Sequence, residues 1–206
     1  MELLRKIFAM ALFVLLTSSL SAQYSQDVQT AFKKSYKLEN EGEYSKAARL
    51  IKDVYDEDSY EINLRLGWLT YLQGMFADAL PYYEKCLTIM PLSTEARLGI
   101  ANPASAMGNW ILVEKMYAEI LINDPANSLV NYRMGVIYYG REEYDVAFKY
   151  LQKVVNLYPF DYDSVVMLAW TNFKLGKYRE AKVLFSKALL IKPDDASALE
   201  GLKYVN

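Results

Sequence analysis

The sequence predicts an all-α chain built from a repeated helix–turn–helix unit, and three observations carry that prediction. Pro91, Pro125, Pro159 and Pro193 fall 34 residues apart. Gly74, Gly108 and Gly176 keep the same phase, Glu142 stands where a further glycine would fall, and Gly42 precedes Gly74 by 32 residues. About two residues after each proline comes a side chain whose oxygen can accept from the free N–H groups of a new helix. These caps are Ser93, Asn127, Asp161 and Asp195, with Ser59 and Asp27 at the matching earlier places. A proline therefore stops one helix, a cap starts the next, and a period of this length marks a stacked array.

Taken in order, the first element is a leader. Arg5 and Lys6 precede the apolar run Ile7 to Leu16, and TSSLSA follows. A basic start, a short apolar centre and small residues are the layout of a secretory signal peptide, with cleavage expected after Ala22. Ten apolar residues fall short of the ~20 that a membrane span needs. The units then run over about 27–58, 59–92, 93–126, 127–160 and 161–194, and 195–206 forms an end helix. With each cap counted as position zero, position 8 is small: Ser35, Gly67, Ala101, Gly135 and Ala169. Position 20 is Ala47, Ala79, Val113, Ala147 and Ala181, also small. Position 17 is aromatic (Tyr44, Phe76, Trp110, Tyr144, Tyr178), and position 24 is large (Ile51, Tyr83, Tyr117, Leu151, Phe185). Small residues let two helices approach, and large ones fill the space beside the approach. The single cysteine, Cys86, falls at position 27 among Val54, Ile120, Val154 and Ala188, which makes it packed core. One cysteine also supplies no disulfide framework.

The period, Leu66-Gly67, the small residues at 8 and 20, the aromatics at 17 or 24 and the proline at 32 resemble the tetratricopeptide repeat (TPR) family. The resemblance implies a right-handed α-solenoid of about five helix-turn-helix TPR units plus a C-terminal capping helix. Position 4, often tryptophan in that family, is Ala31, Asn63, Arg97, Asn131 and Val165 here. The family's first helices line a concave groove, and positions 5, 9 and 12 are among those that face it. Carried over, those positions hold eight aromatic side chains in fifteen places. The partner-binding residues expected from this are Phe32, Tyr36, Leu64, Trp68, Tyr71, Asn102, Tyr132, Tyr139, Trp170 and Phe173. Arg65 and Arg133, with Lys33, are expected to place positive charge along one edge. Some family members clamp a chaperone's C-terminal carboxylate with lysine at position 5 and asparagine at position 9, and no unit here has that pair, since Asn102 is accompanied by Leu98. The third unit differs, because ANPASAMG replaces aromatics with small residues and puts Pro103 inside a helix. A proline there removes a backbone bond and presses on the carbonyl of Gly99, so a kink and a dent in the groove are expected.

Several function classes recede on composition. The chain has no histidine, which removes the commonest general base and metal ligand. A formal charge of −2 gives no electrostatic case for nucleic acid. The acidic run Asp53 to Glu61 lacks the spacing and central glycine of a calcium loop. No nucleophile–base pair and no phosphate-cradling glycine loop appears, so neither an enzyme nor a cofactor is expected. The expected function is a non-catalytic scaffold or adaptor in the bacterial cell envelope, exported and periplasmic or outer-membrane-associated. It would bind a peptide segment or helix of a partner protein in the aromatic groove. The alternatives are a glycan-binding module using the same rings and a self-associating structural component, with homo-oligomers possible in either.

Overall fold

The computed structural model describes residues 26–205, so the expected leader lies outside the described residues. All regular structure among them is helical. Helix α1 covers 26–40, followed by α2 (Tyr44–Lys52), α3 (Tyr60–Leu72), α4 (Phe76–Ile89), α5 (Thr94–Ala106) and α6 (Trp110–Asn123). Then come α7 (Ser128–Gly140), α8 (Tyr144–Leu157), α9 (Tyr162–Lys174), α10 (Tyr178–Ile191) and α11 (Ala196–Tyr204). Helices α3 and α4, α7 and α8, and α9 and α10 pair as hairpins, the first member of each being 13 residues long. Among the described residues no helix is long and apolar enough to cross a membrane.

Five of the expected caps act as such. Ser59, Ser93, Asn127, Asp161 and Asp195 each accept, through a side-chain oxygen, from the backbone N–H three residues on. Each such cap contributes about 1 kcal/mol to its helix. Asp27 does not cap, since residues 26 and 27 are already helical and α1 begins earlier than the repeat phase implies.

The hairpin turns share one closure. Gly42, Gly74, Gly108 and Gly176 have φ between 72 and 77°, and the next N–H reaches back to a carbonyl five residues earlier, as Met75 N–H does to Thr70 at 3.2 Å. This is a Schellman closure, which favours glycine because a Cβ resists the left-handed region. Glu142 takes the same place with φ 65° and carries that resistance. The second helices have no side-chain cap at Met75, Glu143 or Lys177. Their position-17 ring instead packs across the turn on a position-12 ring, with centroids 5.6 Å apart for Tyr71–Phe76, 5.4 Å for Tyr139–Tyr144 and 5.7 Å for Phe173–Tyr178.

The described chain divides into two compact units, one ending at Val113 and the other beginning at Glu114, within α6. In the first, Ala47, Ala48, Ile51, Ile62, Leu66 and Leu69 form a buried core. Tyr83 drives its ring between α3 and α5, where a Cβ on Gly67 would lie 2.9 Å from it and one on Gly99 only 2.3 Å. Cys86 is wholly buried, its thiol donates to the Tyr60 carbonyl at 3.5 Å, and desolvation pushes it up to about 12. It is core, as the repeat phase predicts.

In the second unit the core runs from Leu151 through Val165, Leu168 and Phe185 to Ala198 on α11. The Phe185 ring repeats the Tyr83 device, since a Cβ on Gly201 would meet it at 2.3 Å. Large rings at position 24 thus face glycine at position 6 of the following helix, in Gly99 and Gly201 alike. Arg141 forks onto Glu114 with Nη–Oε distances of 2.5 and 3.0 Å, and these bonds hold the Glu114 carboxyl below the ordinary carboxylate range.

Candidate functional site

Five of the ten expected site residues meet in one place. Phe32 and Tyr36 on α1, Leu64 and Trp68 on α3, and Asn102 on α5 line a groove of about 830 Å³ in the first unit. The spacing explains why: positions 5 and 9 lie one helical turn apart and share a face. The groove is large enough for several side chains of a ligand, since ligand clefts commonly span ~300–1,000 Å³. Its floor is formed where Tyr83 meets Gly99.

The rings are held, yet they remain open to solvent. Trp68 is 36% exposed and Tyr36 52%. Glu39 organises both: one carboxylate oxygen accepts from the Trp68 indole N–H at 2.7 Å, and the other pairs with the Arg65 guanidinium. Arg65 also donates to Ser35 Oγ at 3.1 and 2.9 Å through Nε and Nη2, and its guanidinium carbon sits 3.9 Å from the Tyr36 ring centroid. A buried arginine needs a carboxylate or equivalent partner, and Glu39 supplies it. The expectation that Arg65 displays positive charge along an edge is therefore wrong: its side chain is 5% exposed and its charge is compensated. Arg133 likewise turns inward and donates to the Tyr117 hydroxyl at 3.0 Å.

Tyr71 lies beside this groove, with its ring 5.6 Å from both Trp68 and Phe76. Its neighbours make it a brace for Trp68 and for the hairpin turn. The other four expected residues lie in the second unit. Tyr132 is half-buried against the core there, and Tyr139 braces the α7–α8 turn through Tyr144. Trp170 and Phe173 are covered from the C-terminal side. Trp170 donates its indole N–H to Ser197 at 2.8 Å and packs edge-on against Phe185, while Tyr204 lies 6.2 Å from Trp170 and 5.6 Å from Phe173. Helix α11 thus uses these two rings as its own packing surface.

Pro103 is buried in the last turn of α5, which runs unbroken to Ala106 and matches the length of α3 and α7. The third unit still leaves room: Gly99 and, within ANPASAMG, Asn102 line the groove where other units carry larger side chains.

Sequence reasoning missed the acids. Glu61 and Glu95, both at position 2, line the same groove on adjacent helices. Glu95 accepts from the Tyr60 hydroxyl at 3.2 Å, and Glu61 accepts from Ser59 Oγ at 3.2 Å. Their equal repeat position was the available signal. The role of position 4 was missed as well. Asn63 donates to the carbonyls of Glu57 and Ser59, Arg97 to those of Pro91 and Ser93, and Asn131 to those of Pro125 and Asn127. A side chain there ties the inter-hairpin loop to the helix it precedes, which a tryptophan would not do by these bonds. Among the described residues there is no cluster of metal-ligating side chains.

Comparison with known proteins supports the architecture. Human protein O-mannosyl-transferase TMTC1 is 30% identical over 145 residues, which are 67% of this chain and 16% of that protein. The chain spans 9 to 39% of the length of the curated relatives it matches. Among solved structures, a tetratricopeptide repeat protein from Parabacteroides merdae ATCC 43184 superposes with a TM-score of 0.73 at 20% identity, over 87% of this chain and 72% of that one. YrrB, described as a TPR protein with an unusual peptide-binding site, gives a TM-score of 0.68 at 15% identity over 90% of this chain and 97% of its own. At such identities the likeness shows the fold. The family model for the EMC2 TPR-like repeat domain matches residues 75–205. That match takes in well over half of the sequence, and the chain belongs to the TPR-like repeat family.

Proposed function

We propose that this chain is a non-catalytic interaction scaffold that holds a peptide segment of a partner protein in the groove between α1, α3 and α5. The observation that carries this reading is the exposure of Trp68 and Tyr36. Both rings are fixed in place through Glu39 and Arg65, yet they are left uncovered over a groove of about 830 Å³. Fixed aromatic side chains lose little freedom on binding and so make effective anchors. The peptide-binding site named for YrrB, on a similar fold, agrees with this use. In the second unit the rings of Trp170 and Phe173 instead pack under α11.

The test is selection of random twelve-residue peptides displayed on phage against the chain and against Tyr36→Ala/Trp68→Ala. Peptides enriched by the unaltered chain and not by the variant, with equal helical circular dichroism for both, support the groove. Enrichment that is the same on both removes it.

The same proposal places the protein outside the cytoplasm, in the cell envelope. Its support is the order of Arg5 and Lys6, the apolar run from Ile7 and the small residues before Gln23. Mass spectrometry of the protein recovered from the cells that make it should find Gln23 at the N-terminus. Recovery of the chain with residues 1–22 intact would count against cleavage and export by this leader.

A further inference from the structure

The charge around the groove selects among peptides, and here the inference rests on the peptide-holding reading above. Of the charged side chains lining the groove, Glu39, Glu61 and Glu95 are acidic and Arg65 alone is basic. Arg65 and Glu39 neutralise each other in a largely buried pair. What the groove presents to a ligand is therefore the pair Glu61 and Glu95. They sit at the same repeat position on neighbouring helices, both solvent-exposed, and no ion pair is found at either among the described residues. Their place in the first turn also suits the positive ends of α3 and α5. That placement accounts for acids there, but not for both facing one aromatic groove. The Trp68 ring adds a face that itself attracts cations.

We propose that the occupant is a cationic peptide segment of a partner protein, in which a lysine or arginine reaches Glu61 and Glu95 while adjacent apolar side chains rest on Trp68 and Tyr36. The polarity is opposite to that of a groove built for a carboxylate. An acidic segment would set its charge against two uncompensated carboxylates, so the groove also rejects on charge. An exposed ion pair of this kind contributes up to about fivefold in affinity, and two together distinguish lysine from an uncharged side chain by about tenfold.

The experiment sequences the peptides enriched in a groove-dependent way, then measures one of them by fluorescence anisotropy alongside versions with norleucine or glutamate in place of its basic residue. The expected result is enrichment of lysine or arginine next to leucine or aromatic residues. The basic peptide should bind about tenfold more tightly than its norleucine version at low salt, and Glu61→Gln/Glu95→Gln should bring that ratio close to one. Groove-dependent peptides that are neutral or acidic, or a ratio untouched by the double variant, would overturn the cationic assignment and leave the peptide groove standing. Absence of any groove-dependent peptide would overturn both. Glutamine keeps the shape of both side chains, and equal helical circular dichroism of the variant and the unaltered chain shows that the fold is kept.

Discussion

Adding a single methyl group at Gly99 should unseat the floor of the groove. In Gly99→Ala the new Cβ would lie 2.3, 2.4 and 2.9 Å from Cε1, Cδ1 and Cζ of Tyr83, where ordinary contact begins at 3.4 Å. The ring has no room to retreat, because it is 2% exposed and a Cβ at Gly67 on its other side would meet it at 2.9 Å. Helix α5 must instead back away by about 1 Å, and overpacking of this kind costs about 1–3 kcal/mol. Alanine recovers up to about 1 kcal/mol through its helix propensity, leaving a net loss of about 1–2 kcal/mol. The assay is urea unfolding followed by circular dichroism, for Gly99→Ala, Tyr83→Leu and the pair. Leucine is what position 24 carries in Leu151, where Met167 holds position 6 of the next helix. The double variant should therefore be less destabilised than the sum of the singles by about 1 kcal/mol. Singles that add would show that the ring does not wedge α3 from α5. Because Gly99 and Tyr83 both line the groove, the alanine variant should also lose affinity for groove-dependent peptides.

Two further outcomes follow from backbone and charge. Glu142→Gly relieves a non-glycine residue held at φ 65° and should stabilise the second unit by about 1 kcal/mol, raising the urea midpoint; a lower midpoint would refute the strain. Asp195 is lowered to about 2 from 3.8, chiefly by the Tyr162 hydroxyl and then by the Ala198 N–H. A depressed carboxyl stabilises the fold above its unfolded value and loses that contribution as pH falls through its folded value, so the anchoring of α11 should weaken between about pH 4 and pH 2. Trp170 emission in a chain carrying Trp68→Phe and Trp110→Phe reports it. Asp195→Asn should flatten the change in that window, and an unchanged profile would refute the assignment.

The repeat was legible because its signals are local and redundant. Proline, glycine and cap recur at fixed offsets, so Ser59 through Asp195 could be placed on helix starts before any contact was known. Asp27 misled because the first unit is two residues short and offers no proline to fix its phase. The site was legible only by half. Positions 5 and 9 name a helix face, but not what lies over that face. Arg65 looked like surface charge because sequence spacing does not show that Ser35 and Glu39 on the preceding hairpin converge on it. Tyr71, Tyr139 and Phe173 looked like anchors because the position-17 rings that hold them lie five residues away, across a turn.

The two tryptophans at position 9, Trp68 and Trp170, differ in the side chain that holds position 9 of the next unit. Trp170 is followed at that place by Tyr204, whose ring approaches both Trp170 and Phe173. Trp68 is followed by Asn102, too short to reach across, and keeps its 36% exposure. The same register therefore leaves one tryptophan packed under α11 and the other open to the groove. Asn102→Tyr should convert the second case into the first. Its ring would lie over Trp68, shift the emission of a chain retaining only that tryptophan to shorter wavelength, and reduce quenching by acrylamide. An aromatic pair adds about 0.5–1.5 kcal/mol, so stability should hold or rise while affinity for groove-dependent peptides falls about tenfold or more. If Trp68 stays as open to acrylamide as before, the tyrosine has found another rotamer. If Trp68 is covered and peptides still bind equally well, the rings at position 9 are not the anchors, and the groove's aromatic face plays no part in recognition.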